Sequence, residues 1–159
     1  MTIQSTFSKL CTIAALSSSA LAVMPIANAE AATLNLSEID RLYVFGDSLV
    51  DTGNLFSATG GFYPSPLQYA PGRFSNGPLW VENLSLRLGL PPDPAANFAF
   101  GGSSSGLGNA VLPAAPLPGL LGQVTLFAGL VSEADPKGLY VLSGGANDYL
   151  FGGATDSTQ

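Results

Sequence analysis

Three short, largely apolar runs, at residues 42–45, 97–100 and 139–142, indicate the class of fold. Each run is rich in aromatic or β-branched residues and ends at a glycine, or at a serine before a glycine, which predicts a strand. Apart from Asn97, the runs are apolar and do not alternate with polar residues, which is typical of strands covered on both faces. The sequence therefore predicts three buried strands.

A helical pattern, "SNGPLWVENLSLRLGL" at residues 75–90, lies between the first two runs. Asn76 is a candidate N-cap, Pro78 suits the first turn, and Gly89 suits the end of the helix. Trp80 falls on the apolar face, so we expect it to lie in the core.

A second helical pattern lies between the second and third runs, at residues 117–131, with apolar residues at helical spacing from Leu120 to Val131. The Pro- and Ala-rich segment before it, residues 109–119, is predicted to be a loop. Strands that alternate with helices predict an α/β fold with a parallel sheet and right-handed crossovers.

The N-terminus has the pattern of an export signal. Lys9 gives the positive charge, residues 10–26 are small and apolar, and a small-x-small cleavage pattern ends at Ala29. The alternative is a membrane anchor, but hydroxyl residues and a proline interrupt the apolar stretch. We predict a signal peptide at residues 1–29, no stable membrane span, and a secreted or periplasmic mature chain at residues 30–159.

Composition excludes several classes of function. The 47% apolar content fits a packed globular domain, while five Lys and Arg residues and a net charge of −6 argue against a nucleic-acid partner. The only cysteine, Cys11, lies in the predicted signal, so the mature chain would contain no disulfide. The chain also has no histidine, and therefore no zinc site is predicted.

Small polar turns follow each predicted strand. We call them turn 1 (residues 46–48, Gly-Asp-Ser), turn 2 (residues 101–103, Gly-Gly-Ser) and turn 3 (residues 144–148, Gly-Gly-Ala-Asn-Asp). Ligands of open α/β sheets bind beyond the carboxyl ends of the strands. The sequence therefore predicts a site where these three turns converge.

Taken alone, turn 1 has other interpretations. Asp and Ser commonly cap helices, and Gly permits tight turns, so a purely structural role is one of them. Asp47 and Asp51 could bind a metal ion, although Mg²⁺ or Ca²⁺ usually needs further carboxylates or a phosphate. The glycine-rich "GGSSSGLG" lacks the lysine and the spacing of a phosphate-binding loop.

Four segments together resemble the SGNH, or GDSL, hydrolases: "FGDSLVDTGN", "GRFSNGPLWVE", "NFAFGGSSSG" and "LSGGANDYLF", in this order along the chain. The resemblance extends from about residue 42 to residue 151. It implies a three-layer α/β/α, flavodoxin-like fold, with the first strand flanked by the second and the third.

The resemblance also implies the site. Ser48 corresponds to the nucleophile. Gly102, which the alignment favours over Gly101, corresponds to the residue whose backbone N–H donates to the oxyanion. Asn147 corresponds to the residue whose side-chain amide donates to it. Preorganised N–H groups of this kind stabilise the oxyanion that forms during attack on an ester. Asp47, Asp51, Asn54 and Arg73 are interpreted as residues that order the turns and loops. No cofactor or metal is implied, and the expected partner is a small-molecule or lipid ester.

The sequence departs from the family at its last block, Asp-x-x-His, which supplies the general base and its orienting carboxylate. No histidine is present. We therefore expect the incomplete, N-terminal part of an exported serine esterase or lipase, inactive by itself. The alternatives are a non-enzymatic binding protein and a metal-dependent phosphate-ester enzyme.

Overall fold

The computed structural model describes residues 36–151, so the predicted signal peptide and the chain end lie outside the described residues. The elements in chain order are a 3-10 helix Leu36–Glu38, strand β1 Arg41–Gly46, helix α1 Asn54–Ala58, helix α2 Trp80–Arg87, a 3-10 helix Pro94–Ala96, helix α3 Leu120–Leu130, strand β2 Gly138–Ser143 and helix α4 Ala146–Phe151. Among residues 36–151, no helix is long and apolar enough to cross a membrane.

The sheet is formed by β1 and β2, which pair in parallel. Their register begins at Arg41 opposite Gly138 and ends at Gly46 opposite Ser143. The first and third predicted strands are therefore confirmed, each one residue longer at both ends. Helix α3, also predicted, connects the second apolar run to β2.

The second apolar run, residues 97–100, lies beside β1 but forms no regular strand. Two hydrogen bonds and one parallel bridge join it to β1: Phe98 N–H to Val44 C=O at 2.7 Å, Phe100 N–H to Gly46 C=O at 3.0 Å, and the bridge between Val44 and Asn97. Alternate residues of a strand hydrogen-bond toward opposite edges. Residues 97–100 and β2 therefore flank β1, but the prediction of a full second strand was wrong.

Side-chain hydrogen bonds replace ladder bonds on both edges of this second run. Toward β1, the Gly46 N–H donates to the Oε1 of Gln123 on α3 at 2.7 Å, so it does not pair with the Phe98 carbonyl. The other edge is occupied as well. The Asn54 side-chain amide donates to the carbonyl oxygens of Asn97 and Ala99, at 2.8 and 2.9 Å. The Asn97 side chain accepts from the Ala99 N–H at 2.9 Å. These bonds satisfy backbone groups that a neighbouring strand would otherwise pair.

Apolar clusters cover both faces of β1. One contains Val44, Val50, Leu79, Val81 and Ala99, and the other contains Tyr43, Phe45, Ala96 and Phe127. Because successive side chains of a strand point to opposite faces, α2 packs on one face of β1 and α3 on the other. The described chain is thus an α/β unit with a two-stranded parallel sheet, and the complete three-layer arrangement stays a prediction.

Helix α2 begins later than predicted. Its N-cap is Leu79, not Asn76, because the Glu82 carboxylate accepts the Leu79 N–H at 2.7 Å and supplies the cap from within the helix. The later start changes the buried face. Val81 is 2% exposed, whereas Trp80 is 50% exposed, so the prediction of a core tryptophan was wrong.

The far edge of β2 faces no other strand among residues 36–151. Leu142 on this strand is exposed, as are the apolar residues Tyr149, Leu150 and Phe151 of α4. Unpaired apolar edges invite pairing with other chains. We therefore predict that residues 30–159 expressed alone are prone to aggregate, with this surface as the structural basis.

Candidate functional site

Turn 1 begins where β1 ends. Gly46 lies so close to β2 that a Cβ there would clash with the Ser143 carbonyl oxygen, so glycine is required. Asp47 is buried, and its Oδ1 accepts the Leu49 N–H at 3.0 Å. Ser48, which lies between Asp47 and Leu49, is partly exposed just after the end of β1.

The turn is fixed to α1 by Asp51, whose side chain is fully buried. Its carboxylate accepts four backbone N–H groups: Gly53 at 2.8 Å, Asn54 at 2.7 Å, Leu55 at 3.1 Å and Gly101 at 2.8 Å. Burial raises the pKa of the Asp51 carboxyl, and the four N–H donors oppose that rise. As the sequence predicted, Asp47 and Asp51 order the backbone of the turn.

Turn 2 contains two glycines whose N–H groups differ in their hydrogen bonds. The Gly101 N–H donates to Asp51, whereas the Gly102 N–H has no acceptor among the described residues. Gly102 adopts φ +79°, and a Cβ there would lie 2.7 Å from the Asn109 Oδ1. Glycine is therefore needed at position 102 both for conformation and for space.

Turn 3 is joined to turn 2 and to the residues that follow it by two side chains of α4. The Asn147 side-chain amide, 7% exposed, donates to the Ser103 carbonyl oxygen at 3.0 Å. The Asp148 carboxylate accepts the Ser105 N–H at 2.8 Å and the Ser105 hydroxyl at 2.8 Å. Because the Asn147 amide has two N–H donors, this bond leaves one N–H for another acceptor.

Gln123 on α3 is a site residue that the sequence analysis missed. Its side chain is fully buried, its Oε1 accepts the Gly46 N–H at 2.7 Å, and its Nε2 donates to the Gly46 carbonyl at 2.9 Å and to the Ser103 hydroxyl oxygen at 2.8 Å. The available signal was a glutamine among the apolar residues Leu120, Val124 and Phe127 on one side of α3. Such a buried amide needs polar partners.

The three predicted site residues therefore lie on turns that one hydrogen-bonded path connects. The path runs from Gly46 through Gln123 to Ser103, and from the Ser103 carbonyl to Asn147. Ser48 is two residues from the first end of the path, and Gly102 is adjacent to Ser103. The arrangement brings a hydroxyl group and N–H donors to one edge of the sheet.

Asp47 and Asp51 are poorly suited to hold a metal ion. Both oxygens of Asp51 are already hydrogen-bonded to backbone N–H groups. Among residues 36–151, no group of three or more His, Cys, Asp and Glu side chains could hold a metal ion.

A groove of about 550 Å³ lies on the α2 side of β1. Its lining includes Leu42, Val44, Val81 and Glu82, but not Ser48, Gly102 or Asn147. The candidate site is therefore formed by turns 1, 2 and 3 at the carboxyl end of the sheet, and this groove is not part of it.

Comparison with known proteins identifies the family. The family model described as GDSL-like Lipase/Acylhydrolase matches residues 42–158. The chain belongs to this family. The matched segment includes all three turns, helices α1 to α4, β2, and all of β1 except Arg41.

The curated relatives that this chain matches are longer proteins. A phosphatidylcholine-sterol acyltransferase of Aeromonas hydrophila is 40% identical over 113 residues, which is 69% of this chain and 33% of that protein. The thermolabile hemolysin of Vibrio parahaemolyticus is 30% identical over 120 residues, which is 75% of this chain and 28% of that protein. The secreted effector protein SseJ of Salmonella typhimurium is 47% identical over 73 residues, 45% of this chain and 18% of that protein. The chain thus spans a third or less of the length of these relatives.

Proposed function

We propose that this chain supplies the nucleophile and the oxyanion hole of an exported serine hydrolase that cleaves carboxylic esters. Ser48 is the nucleophile, and its Oγ attacks the carbonyl carbon of the ester. The oxyanion formed accepts hydrogen bonds from the Ser48 N–H, the Gly102 N–H and the Asn147 side-chain amide. Each such donor lowers the barrier by roughly 3 kcal/mol.

The hydrogen-bonded path between the three turns is the observation that carries this proposal. It holds Ser103, next to Gly102, against both the end of β1 and Asn147. The difference between the two glycines supports the choice of donor, because Asp51 already accepts the Gly101 N–H. The Gly102 N–H and the second N–H of Asn147 are then the groups available to a substrate.

The reaction also needs a general base, because a serine hydroxyl is a weak nucleophile without one. The 159 residues contain no histidine. We assign the base and its orienting carboxylate to residues of the complete protein beyond this chain. The base takes the Ser48 proton as the acyl–serine bond forms, returns it to the departing alcohol, and then activates the water that releases the carboxylic acid.

The substrate class we favour is an ester of a lipid. The first relative is named for an activity on phosphatidylcholine and sterol, and segment 109–119 beside turn 2 is rich in apolar residues. Acetylated carbohydrate is the second choice. The relative's name also favours a second candidate reaction, acyl transfer, in which an alcohol replaces water as the acceptor of the acyl group from Ser48.

Export is part of the proposal. Its support is the signal-like pattern of residues 1–29 and the likeness to a relative named as a secreted effector. N-terminal sequencing of the protein recovered outside the cytoplasm should begin at Glu30. A protein that retains Met1 and stays in the cytoplasm would contradict it.

The direct test is labelling with a fluorophosphonate, which reacts with activated serines. In the protein expressed from the complete open reading frame, we expect labelling and hydrolysis of p-nitrophenyl butyrate, both abolished by Ser48→Ala. Ser132→Ala is the matched control, because Ser132 is exposed and remote from the turns in sequence. EDTA should change neither readout, whereas inhibition by EDTA would favour the metal-dependent alternative.

Reading the gene past the codon for Gln159 separates the remaining alternatives. A frame that continues to an Asp-x-x-His segment supplies the base that the mechanism requires. A stop codon after Gln159, together with absent labelling, would refute the catalytic proposal. It would leave the non-enzymatic binding protein as the better interpretation.

A further inference from the structure

We propose that Gln123 is a positioning residue that sets the geometry between the nucleophile and the two other oxyanion donors. The inference rests on the proposed function of Ser48, Gly102 and Asn147. Gln123 itself reaches no substrate atom, since its amide is fully buried behind the turns.

The first part of the argument is the attachment of Gln123 to β1. Both the N–H and the C=O of Gly46 are hydrogen-bonded to the same carboxamide, at 2.7 and 2.9 Å. Gly46 is two residues before Ser48. The Gln123 side chain therefore fixes α3 to the backbone from which Ser48 projects.

The second part is the attachment to turn 2. The Gln123 Nε2 also donates to the Ser103 hydroxyl oxygen at 2.8 Å. That hydroxyl lies 2.7 Å from the Phe100 carbonyl oxygen and 2.8 Å from the Pro118 carbonyl oxygen, one of which accepts its proton. Ser103 is thereby held in place directly after Gly102, while its own carbonyl holds Asn147.

The chemistry of the side chain explains why the residue is glutamine. The site requires one acceptor and two donors in a single plane, which a carboxamide supplies. Methionine has a similar length but no N–H donor. Glutamate would face the Gly46 carbonyl with an oxygen, and a buried polar group without a partner is destabilising.

Loss of the Gln123 hydrogen bonds should lower the rate of ester hydrolysis. Misplacement of about 1 Å can lower a rate about 10²-fold. Removal of the Gln123 bonds lets turn 1 and turn 2 shift relative to each other, so the oxyanion donors are no longer aligned with the carbonyl that Ser48 attacks. Binding of the substrate's acyl and alcohol portions should change little.

The test uses Gln123→Met in the protein expressed from the complete open reading frame, with Gln68→Met as the matched control because Gln68 is exposed. Active sites are counted by fluorophosphonate titration run to completion, so that kcat refers only to folded, reactive protein. We expect kcat per titrated site to fall about 10²-fold with KM nearly unchanged, and the affinity for a trifluoromethyl ketone to fall by a similar factor. A kcat per titrated site equal to that of Gln68→Met would overturn the inference.

A double-mutant cycle with Ser103→Ala tests the path itself. If Gln123 acts through the Ser103 hydroxyl, the two substitutions together should lower kcat less than the product of their separate effects. Multiplicative effects would assign Gln123 a role independent of turn 2 and would contradict the inference.

A measurement without catalysis separates this inference from the proposed function. Hydrogen exchange should show faster exchange of peptides covering turns 1 and 2 in Gln123→Met than in the wild type, with β2 unchanged. A wild-type protein without labelling or hydrolysis would refute the proposed function, and exchange would then decide the bridging role of Gln123 alone. Unchanged exchange at both turns would refute that role.

Discussion

Replacement of Asp51 by asparagine should be among the most destabilising isosteric changes available in this chain. The carboxylate accepts four backbone N–H groups with two oxygens and is fully buried. An amide keeps only one oxygen, so two of the four N–H groups lose their acceptor and face an NH₂ group. Each buried donor left without a partner costs about 1–3 kcal/mol, so we expect the free energy of unfolding to fall by about 2–6 kcal/mol.

The assay is urea unfolding at pH 7.5 of the protein expressed from its complete open reading frame, with Asp93→Asn as the matched control. Asp93 accepts one backbone N–H, from Ala95 at 3.0 Å, and pairs with Arg41 at the surface. Exposed ion pairs contribute about 0–1 kcal/mol, so the control should lose about 1 kcal/mol or less. The difference between the two variants isolates the effect of the buried carboxylate.

The reasoning would be refuted if Asp51→Asn destabilised the protein no more than Asp93→Asn does. That result would mean that the four N–H groups find other acceptors, or that turn 1 is solvated in the folded protein. A changed slope of unfolding free energy against urea would instead indicate altered compactness of the denatured or native state, or unfolding that is no longer two-state.

Three further outcomes are expected. Asn147→Ala should lower kcat by about 10²–10³-fold, because it removes one of the proposed oxyanion donors, and steady-state kinetics would show no such loss if Asn147 is only structural. The Arg73 hydrogen bonds hold the pKa of Glu82 below its ordinary 4.5, so the stability that Glu82 contributes is present above that pH and is lost as pH falls through the lower, folded-state pKa. Glu82→Gln should therefore cost about 1 kcal/mol at pH 7, since both side chains are a quarter exposed, and progressively less as the pH falls below 4.5. Residues 30–159 expressed alone should aggregate through the edge of β2, and a soluble monomer with a cooperative melt would contradict this.

The strands and the convergence of turns could be predicted because both depend on local patterns. Residues 42–45 and 139–142 are apolar without interruption, and a parallel sheet brings their carboxyl ends together. The second run failed as a regular strand beside β1 because a side chain distant in sequence, Gln123, accepts the Gly46 N–H that a ladder would pair with the run. Competition of this kind is not visible in the composition of the run itself.

Helix α2 shows a second limit. A capping residue before the helix and a carboxylate inside it can satisfy the same N–H groups, and the sequence offers both Asn76 and Glu82. The structure uses Glu82, which also pairs with Arg73. That choice starts the helix at Trp80 and turns Val81 toward the sheet, which leaves the tryptophan half exposed.

Backbone donors are the part of the site that sequence reasoning is least able to assign. Gly101 and Gly102 are identical in kind and adjacent, so a motif can indicate the pair but gives little basis for a choice. Which of the two N–H groups is free to bind a substrate depends on which one already has an acceptor within the protein. Asp51, fifty residues earlier in the chain, accepts the Gly101 N–H. The same carboxylate that stabilises turn 1 thus leaves Gly102 as the available donor. For this reason the stability of Asp51 variants and the alignment of the proposed oxyanion hole should change together, although Asp51 makes no contact with substrate in the proposed mechanism.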